Sequence, residues 1–204
     1  MMKTWNGWQK KEVWLLLFKK TKFMIFTETR LKGAYIVEVK KLEDDRGFFG
    51  RFWCQKEFEE AGLNGNIRQI NTSFTRKKGT MRGMHYQIDP YQEAKFMHCT
   101  KGRIYDVIID LRPDSPTFME WVGHELSGDE YKMIYVPENF AHGFVTLEDN
   151  SEVIYPVTEF YTPGSERGIR YNDPAFNIEW PVDVEIVSEK DRGHGDFSVD
   201  EFNR

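Results

Sequence analysis

The feature that most constrains the fold is a succession of short, strand-like segments with no long stretch of helical periodicity between them. Residues 34–39 alternate apolar and polar side chains, and residues 103–111 form a largely apolar run between Gly102 and Pro113. Such patterns, bounded by Gly and Pro, are typical of β-strands. Many short strands in a chain of 204 residues predict one all-β domain, a β-barrel or jelly roll with a few short helices.

The same patterns predict the order of the elements. Strands are expected at residues 27–40, 48–54, 67–74, 95–100, 103–111, 121–126, 131–136 and 151–157. A short helix is expected at residues 56–61 and ends near Gly62. Because Lys101 and Gly102 separate two strands by two residues, they predict a hairpin between residues 95–100 and 103–111.

The two ends of the chain differ from the middle. Residues 1–23 carry six lysines and one glutamate, and their apolar run, residues 13–18, is too short to cross a bilayer. We expect residues 1–23 to be an extension outside the core, with Met24 as an alternative start; a basic amphipathic helix at a membrane surface is the less favoured interpretation. The domain is expected at residues 24–191, followed by a polar tail, residues 192–204, that is expected to be disordered.

Charge and cysteine content exclude some classes of function. The net charge is −5, and because residues 1–23 carry +5, the rest of the chain carries −10. An acidic body lacks the basic surface that nucleic-acid binding requires, and no membrane partner is expected. Cys54 and Cys99 have no paired spacing, which favours a reduced, cytoplasmic setting.

The stretch with the clearest chemistry is residues 79–87, Gly-Thr-Met-Arg-Gly-Met-His-Tyr-Gln, followed by Lys95. It supplies a histidine, His85, whose pKa of about 6.5 suits a general base near neutral pH. A lysine in a closed barrel stabilises an anion more strongly as water is excluded. These groups suit removal of a proton from carbon beside a ketone and stabilisation of the enolate that results.

A second histidine, His142, lies in residues 140–144, Phe-Ala-His-Gly-Phe. Two histidine-bearing segments in a double-sheet barrel are typical of cupins, many of which bind a metal through a His-x-His pair and a glutamate. Here Gln87 takes the place of the second histidine, and the ammonium of Lys95 would repel a cation. The sequence therefore predicts no metal and no organic cofactor, and it disfavours a metal-dependent cupin oxygenase.

Taken together, the motifs resemble those of the dTDP-4-dehydrorhamnose 3,5-epimerase family. The matching stretches, in the family's order, are residues 45–49, 69–71, 82–87, 106–112, 115–118, 126–127, 137–147, 172–173 and 188–191, with Tyr155 and Tyr161. The resemblance implies a metal-free cupin jelly roll that forms a homodimer by exchanging strands near the N-terminus. It also implies a nucleotide-linked 4-keto-6-deoxy sugar as the substrate.

The resemblance also implies catalytic roles. His85 corresponds to the base, and Asp191 pairs with it and fixes its tautomer. Lys95 faces the C4 oxygen of the sugar and stabilises the enolate. Tyr155 lies on the opposite face of the sugar and returns a proton there, which inverts the configuration. Without the resemblance, Tyr155 is by default a core residue of a strand and Asp191 a solvated surface charge.

Eight further residues correspond to positions around the substrate. Arg46 and Phe49 reach the nucleotide of the partner subunit across the dimer, and Tyr161 is the candidate for stacking on the base. The remaining substrate-binding residues are Gln69, Asn71, Arg82, His142 and Glu166. His142 is equally consistent with a packing role, and His98, His124 and His194 are expected to be ordinary residues.

The sequence departs from the family at two positions. Asn139 stands where many members have a glycine, and asparagine tolerates the left-handed backbone that such a turn requires. Arg51 stands where some members carry a glutamate near the nucleotide base, so the identity of the base stays open.

The predicted function is epimerisation at C3 and C5 of a nucleotide-linked 4-keto-6-deoxyhexose in deoxysugar biosynthesis, of the rhamnose or O-antigen type. A C3-only epimerase or a keto-sugar isomerase of the same family needs the same base, so the sequence does not separate these alternatives. A non-catalytic sugar-nucleotide-binding cupin is the alternative from another class, and the joint presence of His85, Lys95, Tyr155 and Asp191 argues against it.

Overall fold

Two β-sheets face each other in the computed structural model, which describes residues 22–199. In spatial order the first sheet contains β1 (Met24–Glu28), β2 (Tyr35–Val39), β10 (Lys132–Val136), β7 (Lys95–Lys101), β12 (Ser151–Val157) and β5 (Gln69–Thr75). The second contains β13 (Glu166–Gly168), β6 (Thr80–Gln87), β11 (Phe140–Thr146), β8 (Arg103–Asp110) and β9 (Trp121–Ser127), with β14 (Ile186–Val187) parallel to β6. The predicted all-β jelly roll is confirmed.

The smaller elements lie outside these sheets. The strands β3 (Leu42–Asp44) and β4 (Gly47–Phe49) form a short antiparallel hairpin. Two short helices are present in the described part, α1 (Gln55–Glu60) and α2 (Glu189–Arg192). The helix expected at residues 56–61 is confirmed as α1, and Gly62 follows it with a φ of +77°. No helix within residues 22–199 is long and apolar enough to cross a membrane.

The predicted hairpin between residues 95–100 and 103–111 is wrong, because β7 and β8 belong to opposite sheets. The strand β7 pairs with β10 and β12, whereas β8 pairs with β9 and β11. Met97 and Cys99 from β7 meet Ile104 and Ile108 from β8 in one buried cluster between the sheets. The residues at 101–102 therefore form a corner at which the chain passes from the first sheet to the second. The apolar side chains of both strands point into the core between the sheets.

The outer faces of the sheets are covered unequally. Apolar side chains from residues 169–187 and Phe197 cover the outer face of the second sheet. On the first sheet, Phe58 of α1 covers the part around Phe96 and Tyr135. The outer face of β5 and β12 remains exposed at three apolar side chains, which are Ile70, Phe74 and Ile154.

The loop after β8 is ordered by one buried carboxylate. Asp110 is fully buried and accepts hydrogen bonds from the guanidinium of Arg112 and the hydroxyls of Ser115 and Thr117. Burial alone would raise the pKa of Asp110, but these donors hold it below its ordinary value. The prolines at 113 and 116 have no backbone N–H to donate, and the hydrogen bonds to the Asp110 carboxylate order this segment instead.

Several element boundaries differ from the predicted ones. The segment 27–40 is two strands, β1 and β2, and the extended segment expected at 48–54 is limited to β4. Phe23 is buried, and its backbone N–H donates to Glu57, so the fold includes the residue before Met24. The tail was expected to be disordered beyond Arg192, yet Phe197 packs against Phe176, with ring centroids 5.1 Å apart. Residues 1–21 of the extension predicted at residues 1–23, and residues 200–204 of the tail predicted at residues 192–204, lie outside the described residues.

Candidate active site

A cavity of about 220 Å³ opens between the two sheets and collects most of the predicted site residues. It is lined by Gln69, Asn71, His85, Tyr86, Gln87, Glu93, Lys95, Tyr155, Val157, Tyr161 and Glu166. A larger cavity, about 610 Å³, lies against Tyr86, Arg167 and Phe197. We assign the chemistry to the smaller cavity, because a histidine, a lysine, a tyrosine and two carboxylates converge there.

His85 forms a short hydrogen bond with Asp191, which confirms the predicted pairing of these two side chains. The Nε2 atom of His85 lies 2.6 Å from Oδ1 of Asp191. The strand β14 runs parallel to β6 and delivers α2, whose capping residue Ser188 accepts a hydrogen bond from the Asp191 backbone N–H. Asp191 is therefore a buried group held in place by its helix, and not the solvated surface charge of the default interpretation.

The protonation states of this pair follow from its surroundings. Burial would raise the pKa of Asp191, but the hydrogen bond and charge of His85, with contributions from Ser188 and the backbone of Gly83, hold the pKa below its ordinary value of 3.8. An ionised carboxylate can only accept, so Nε2 of His85 donates to it. In the neutral imidazole this leaves Nδ1 of His85, 3.7 Å from Oε1 of Glu166, as the nitrogen that can take a proton.

Close contact between β6 and β11 explains the glycine that lies two residues before His85. Gly83 has a φ of +114°, and a Cβ there would lie 2.6 Å from the Cα atom of Gly143. No other residue type fits both constraints without moving the backbone. Two residues later, His85 lies opposite His142 in the β6–β11 ladder. Gly83 therefore lets β6 approach the strand that carries the second histidine.

Lys95 brings a positive charge into the cavity from the facing sheet. Its Nζ atom lies 3.3 Å from Oε1 of Glu93 and donates a hydrogen bond of 3.2 Å to the backbone oxygen of His85. The Lys95 side chain is only 8% exposed. Glu93 was not predicted as a site residue, although its position two residues before Lys95 on an extended chain was an available signal.

Tyr155 lines the same cavity, opposite Asn71 in the β5–β12 ladder. Burial raises the pKa of Tyr155, and the negative charge of Glu93 raises it further, while Arg82 lowers it in part. The phenol is therefore protonated near neutral pH and is able to donate a proton.

The other predicted residues divide into two groups. Gln69, Asn71, Tyr161 and Glu166 line the cavity, and Glu166 is held by Lys190, whose Nζ lies 2.7 Å from Oε2. Lys190 was not predicted. Of the eight predicted substrate-binding residues, the four that do not line the cavity are Arg46, Phe49, Arg82 and His142.

Those four residues lie in three different settings. Arg82 donates to the Thr75 hydroxyl, 2.9 Å away. Arg46 and Phe49 are on the exposed β3–β4 hairpin, where Arg46 pairs with Asp44. His142 is buried, and its Nε2 lies 2.8 Å from Oδ2 of Asp106.

Three expectations about further residues have clear outcomes. Asn139 has a φ of +62°, which confirms that the turn keeps its left-handed residue. Arg51 pairs with Glu57 of its own chain at 3.0 Å. His194 was expected to be an ordinary residue, but its ring lies near that of His85, with centroids 6.5 Å apart.

Comparisons with known proteins identify the family of the chain. A family model described as dTDP-4-dehydrorhamnose 3,5-epimerase matches residues 28–198. A protein of that name from Shigella flexneri is 43% identical over 165 residues, which cover 80% of this chain and 91% of the relative.

Two solved structures share the fold. That of dTDP-4-dehydrorhamnose 3,5-epimerase from Elizabethkingia anophelis has a TM-score of 0.84 and 39% identity, covering 86% of this chain and 97% of that one. The enzyme of the same name from Bacillus anthracis, with TDP and PPi bound, has a TM-score of 0.81 and 40% identity, covering 85% and 99%. The chain therefore belongs to the dTDP-4-dehydrorhamnose 3,5-epimerase family of isomerases.

Proposed function

We propose that this isomerase epimerises a dTDP-linked 4-keto-6-deoxyhexose at C3 and C5, with His85 as the base and no metal or organic cofactor. The observation that carries the proposal is the His85–Asp191 pair at the edge of a cavity that also holds Lys95 and Tyr155. A metal-free proton transfer needs a base, a stabiliser of the enolate and a second proton-transfer group, and these side chains can supply all three.

The first step is removal of the proton on carbon next to the C4 ketone. Since Nε2 of His85 donates to Asp191, the proton moves to Nδ1, the nitrogen that is free of the carboxylate. The carboxylate then stabilises the imidazolium that forms, as in other base–orienter pairs. The electron pair of the broken C–H bond moves onto the C4 oxygen as an enolate.

Lys95 stabilises that enolate. The ammonium is nearly buried, so its attraction for a new negative charge is less screened than in water. Its hydrogen bond to the His85 backbone oxygen keeps it within the same cavity as the base. Glu93 balances the charge of Lys95 in the resting enzyme.

Inversion requires that the proton return to the opposite face of the sugar. Tyr155 comes from the first sheet, whereas His85 comes from the second, so the two groups approach a bound sugar from different sides. The raised pKa of the Tyr155 phenol keeps it protonated until the enolate takes its proton. The same pair of groups acts at C3 and then at C5 as the ring presents each carbon.

We propose that Gln69, Asn71, Arg82, His142, Tyr161 and Glu166 hold the sugar and the nucleotide. The relative from Bacillus anthracis, solved with TDP and PPi bound, supports a nucleotide-diphosphate ligand. Arg82 suits a phosphate through charge-assisted hydrogen bonds, and Tyr161, which is 58% exposed, offers a face for stacking on the base.

We also propose a homodimer with exchange of strands near the N-terminus. The exposed side chains Ile70, Phe74 and Ile154 form an apolar patch on one face of β5 and β12, and β1 is an edge strand of the same sheet. Such a patch is typical of a protein–protein interface. Arg46 and Phe49, exposed on the hairpin, would then reach the nucleotide of the partner subunit. We expect the double substitution Ile70→Glu, Phe74→Glu to give monomers in analytical ultracentrifugation, whereas Tyr91→Glu, outside the patch, should not.

We place the enzyme in the cytoplasm, in a pathway of the rhamnose type. Cys54 and Cys99 are free thiols, which suits a reducing compartment. An alternative within the family is epimerisation at C3 alone, and a non-catalytic binding cupin is the alternative outside it.

The test is incubation with dTDP-4-keto-6-deoxyglucose, followed by reduction of the product and NMR assignment of its configuration. We expect inversion at both C3 and C5. Inversion at C3 alone would replace the proposal by the narrower epimerase, and an unchanged sugar would favour the binding protein.

A further inference from the structure

His194 lies beside the catalytic pair, although the mechanism above does not use it. The rings of His85 and His194 are inclined by 75°. One potential ligand atom from each of His85, Asp191 and His194 lies within 4.8 Å of the other two, and residues 22–199 hold no other such group of three. Two imidazoles and a carboxylate are the donor types that zinc prefers.

Gly168 creates the space that His194 occupies. Gly168 lies opposite His85 in the β6–β13 ladder, so a side chain there would point to the same face as His85. A Cβ on Gly168 would lie 2.0 Å from Nε2 of His194. The imidazole of His194 thus fills the place of a missing side chain next to His85.

A second, independent observation concerns the ring nitrogen of His194. Its Nε2 atom is withdrawn from solvent and has no hydrogen-bond partner in the described part of the chain. Leaving a buried polar atom unpaired costs free energy, so such an atom needs a reason. A neutral imidazole carries one nitrogen lone pair that a cation can take.

We propose that Nε2 of His85, Oδ1 of Asp191 and the imidazole of His194 form a binding site for Zn²⁺ that inhibits the enzyme. The site differs from the metal site of other cupins, since neither Gln87 nor the position of Lys95 takes part. The fourth position of a tetrahedral ion stays open toward water.

Small movements convert the resting arrangement into a zinc site. Bonds of about 2.0–2.2 Å in a tetrahedral site place ligand atoms about 3.3 Å apart. His85 and Asp191 therefore separate slightly from their 2.6 Å hydrogen bond, and His194 moves inward. The backbone N–H of Gly83, 3.5 Å from Oδ2, remains near the other oxygen of Asp191.

Proton balance explains why the ion inhibits. Zinc takes the lone pair of Nε2, so the proton of the neutral imidazole moves from Nε2 to Nδ1 and none is released. Glu166, whose Oε1 lies 3.7 Å from Nδ1, is placed to accept a hydrogen bond from that proton, an arrangement typical of metal-bound histidines. Because Nδ1 is the atom that takes the substrate proton, the zinc-bound enzyme has no base.

The test uses the full chain and measures coordination separately from catalysis. Titration with Co²⁺ should give the visible absorption of a tetrahedral site, and Zn²⁺ should displace it with one equivalent. His194→Ala should weaken Zn²⁺ binding at least about tenfold, since even the loss of an outer-shell partner costs 10–100-fold. His98→Ala is the matched control, because His98 pairs with the Lys132 backbone oxygen outside the cavity. Equal Zn²⁺ affinity in wild type and His194→Ala would overturn the proposal.

A second variant and an activity readout complete the test. Gly168→Ala keeps all three ligands but puts a methyl group where His194 lies, so it should also weaken binding. Zn²⁺ should inhibit wild type and His98→Ala at concentrations that leave His194→Ala active. Without metal, His194→Ala should have the same activity as wild type. A cobalt spectrum in a protein that has no epimerase activity would refute the proposed function and not the metal site. Inhibition that does not depend on His194 would refute the metal site.

Discussion

Two histidines that lie opposite each other in the second sheet each pair with an aspartate, and the two pairs differ in what surrounds them. His85 and Asp191 meet at 2.6 Å beside the cavity, whereas His142 and Asp106 meet at 2.8 Å in the interior. The His85 side chain is 29% exposed and that of His142 only 8%, although the two residues are opposite each other in one ladder. An imidazole paired with a carboxylate thus occurs at two places in the fold. A substrate can reach the pair at His85, but it has little access to the pair at His142.

The difference shows that pairing alone does not make a catalytic base. His85 keeps a second nitrogen directed toward Glu166 and a lysine within the same cavity. Asp106 is fully buried, and one of its oxygens has no partner among the described residues. We infer that the first pair moves protons, while the second holds β8 and β11 together and positions His142.

The largest effect should come from removing the base. His85→Asn keeps a polar side chain but has no basic nitrogen to take the proton, so we expect the rate of epimerisation to fall about 10³-fold. His142→Asn should change the rate of the folded fraction far less, and mainly through KM. Steady-state kinetics of both variants measure this difference in rate. Similar losses in kcat for the two variants would contradict the distinction between the two histidines.

The next effect separates the two carboxylates. In Asp191→Asn the amide can donate to His85, which favours the wrong tautomer, so we expect kcat to fall about 10²-fold or more with little change in KM. Asp106→Asn should lower the free energy of unfolding more than it lowers kcat. A normal kcat in Asp191→Asn would show that Asp191 does not orient the base.

The third effect concerns stability. His142→Ala leaves the buried Asp106 carboxylate without its partner, and breaking a buried pair in this way costs about 3–5 kcal/mol. The double variant His142→Leu, Asp106→Leu should recover much of that loss, because it buries no unpaired charge. Urea unfolding provides the measurement. A double variant that is as unstable as the single one would mean that polar packing, and not charge pairing, is what stabilises this region.

The smallest effect is a pH dependence. Because the folded pKa of Asp191 is below its ordinary value of 3.8, its ionisation stabilises the fold at pH values above about 4. That stabilisation is lost as the pH falls through the lower, folded pKa. The difference in unfolding free energy between wild type and Asp191→Asn should therefore shrink below about pH 4. A difference that grows with acidity would mean that the folded pKa is raised instead.

The resemblance to the family selected the candidate catalytic residues, and alternation in strands explains why side chains from different strands can face one interior. His85, Lys95 and Tyr155 fall on β6, β7 and β12, and all three line the same cavity.

Strand partners were harder to predict than strands. The two residues at 101–102 looked like a hairpin turn, yet β7 and β8 lie in opposite sheets, because alternation reports which face is buried and not which neighbour pairs. The position of His194 near His85 was not predicted, because a polar tail has no hydrophobic periodicity to place it. The His194 ring lies next to His85 in the space left by the missing side chain of Gly168.

Incubation in deuterated water tests the central claim most directly. Wild-type enzyme, given dTDP-4-keto-6-deoxyglucose and followed by NMR, should incorporate deuterium from solvent at both C3 and C5, and His85→Asn should incorporate almost none. Rapid labelling by His85→Asn, or inversion without any label in the wild type, would contradict proton removal by His85.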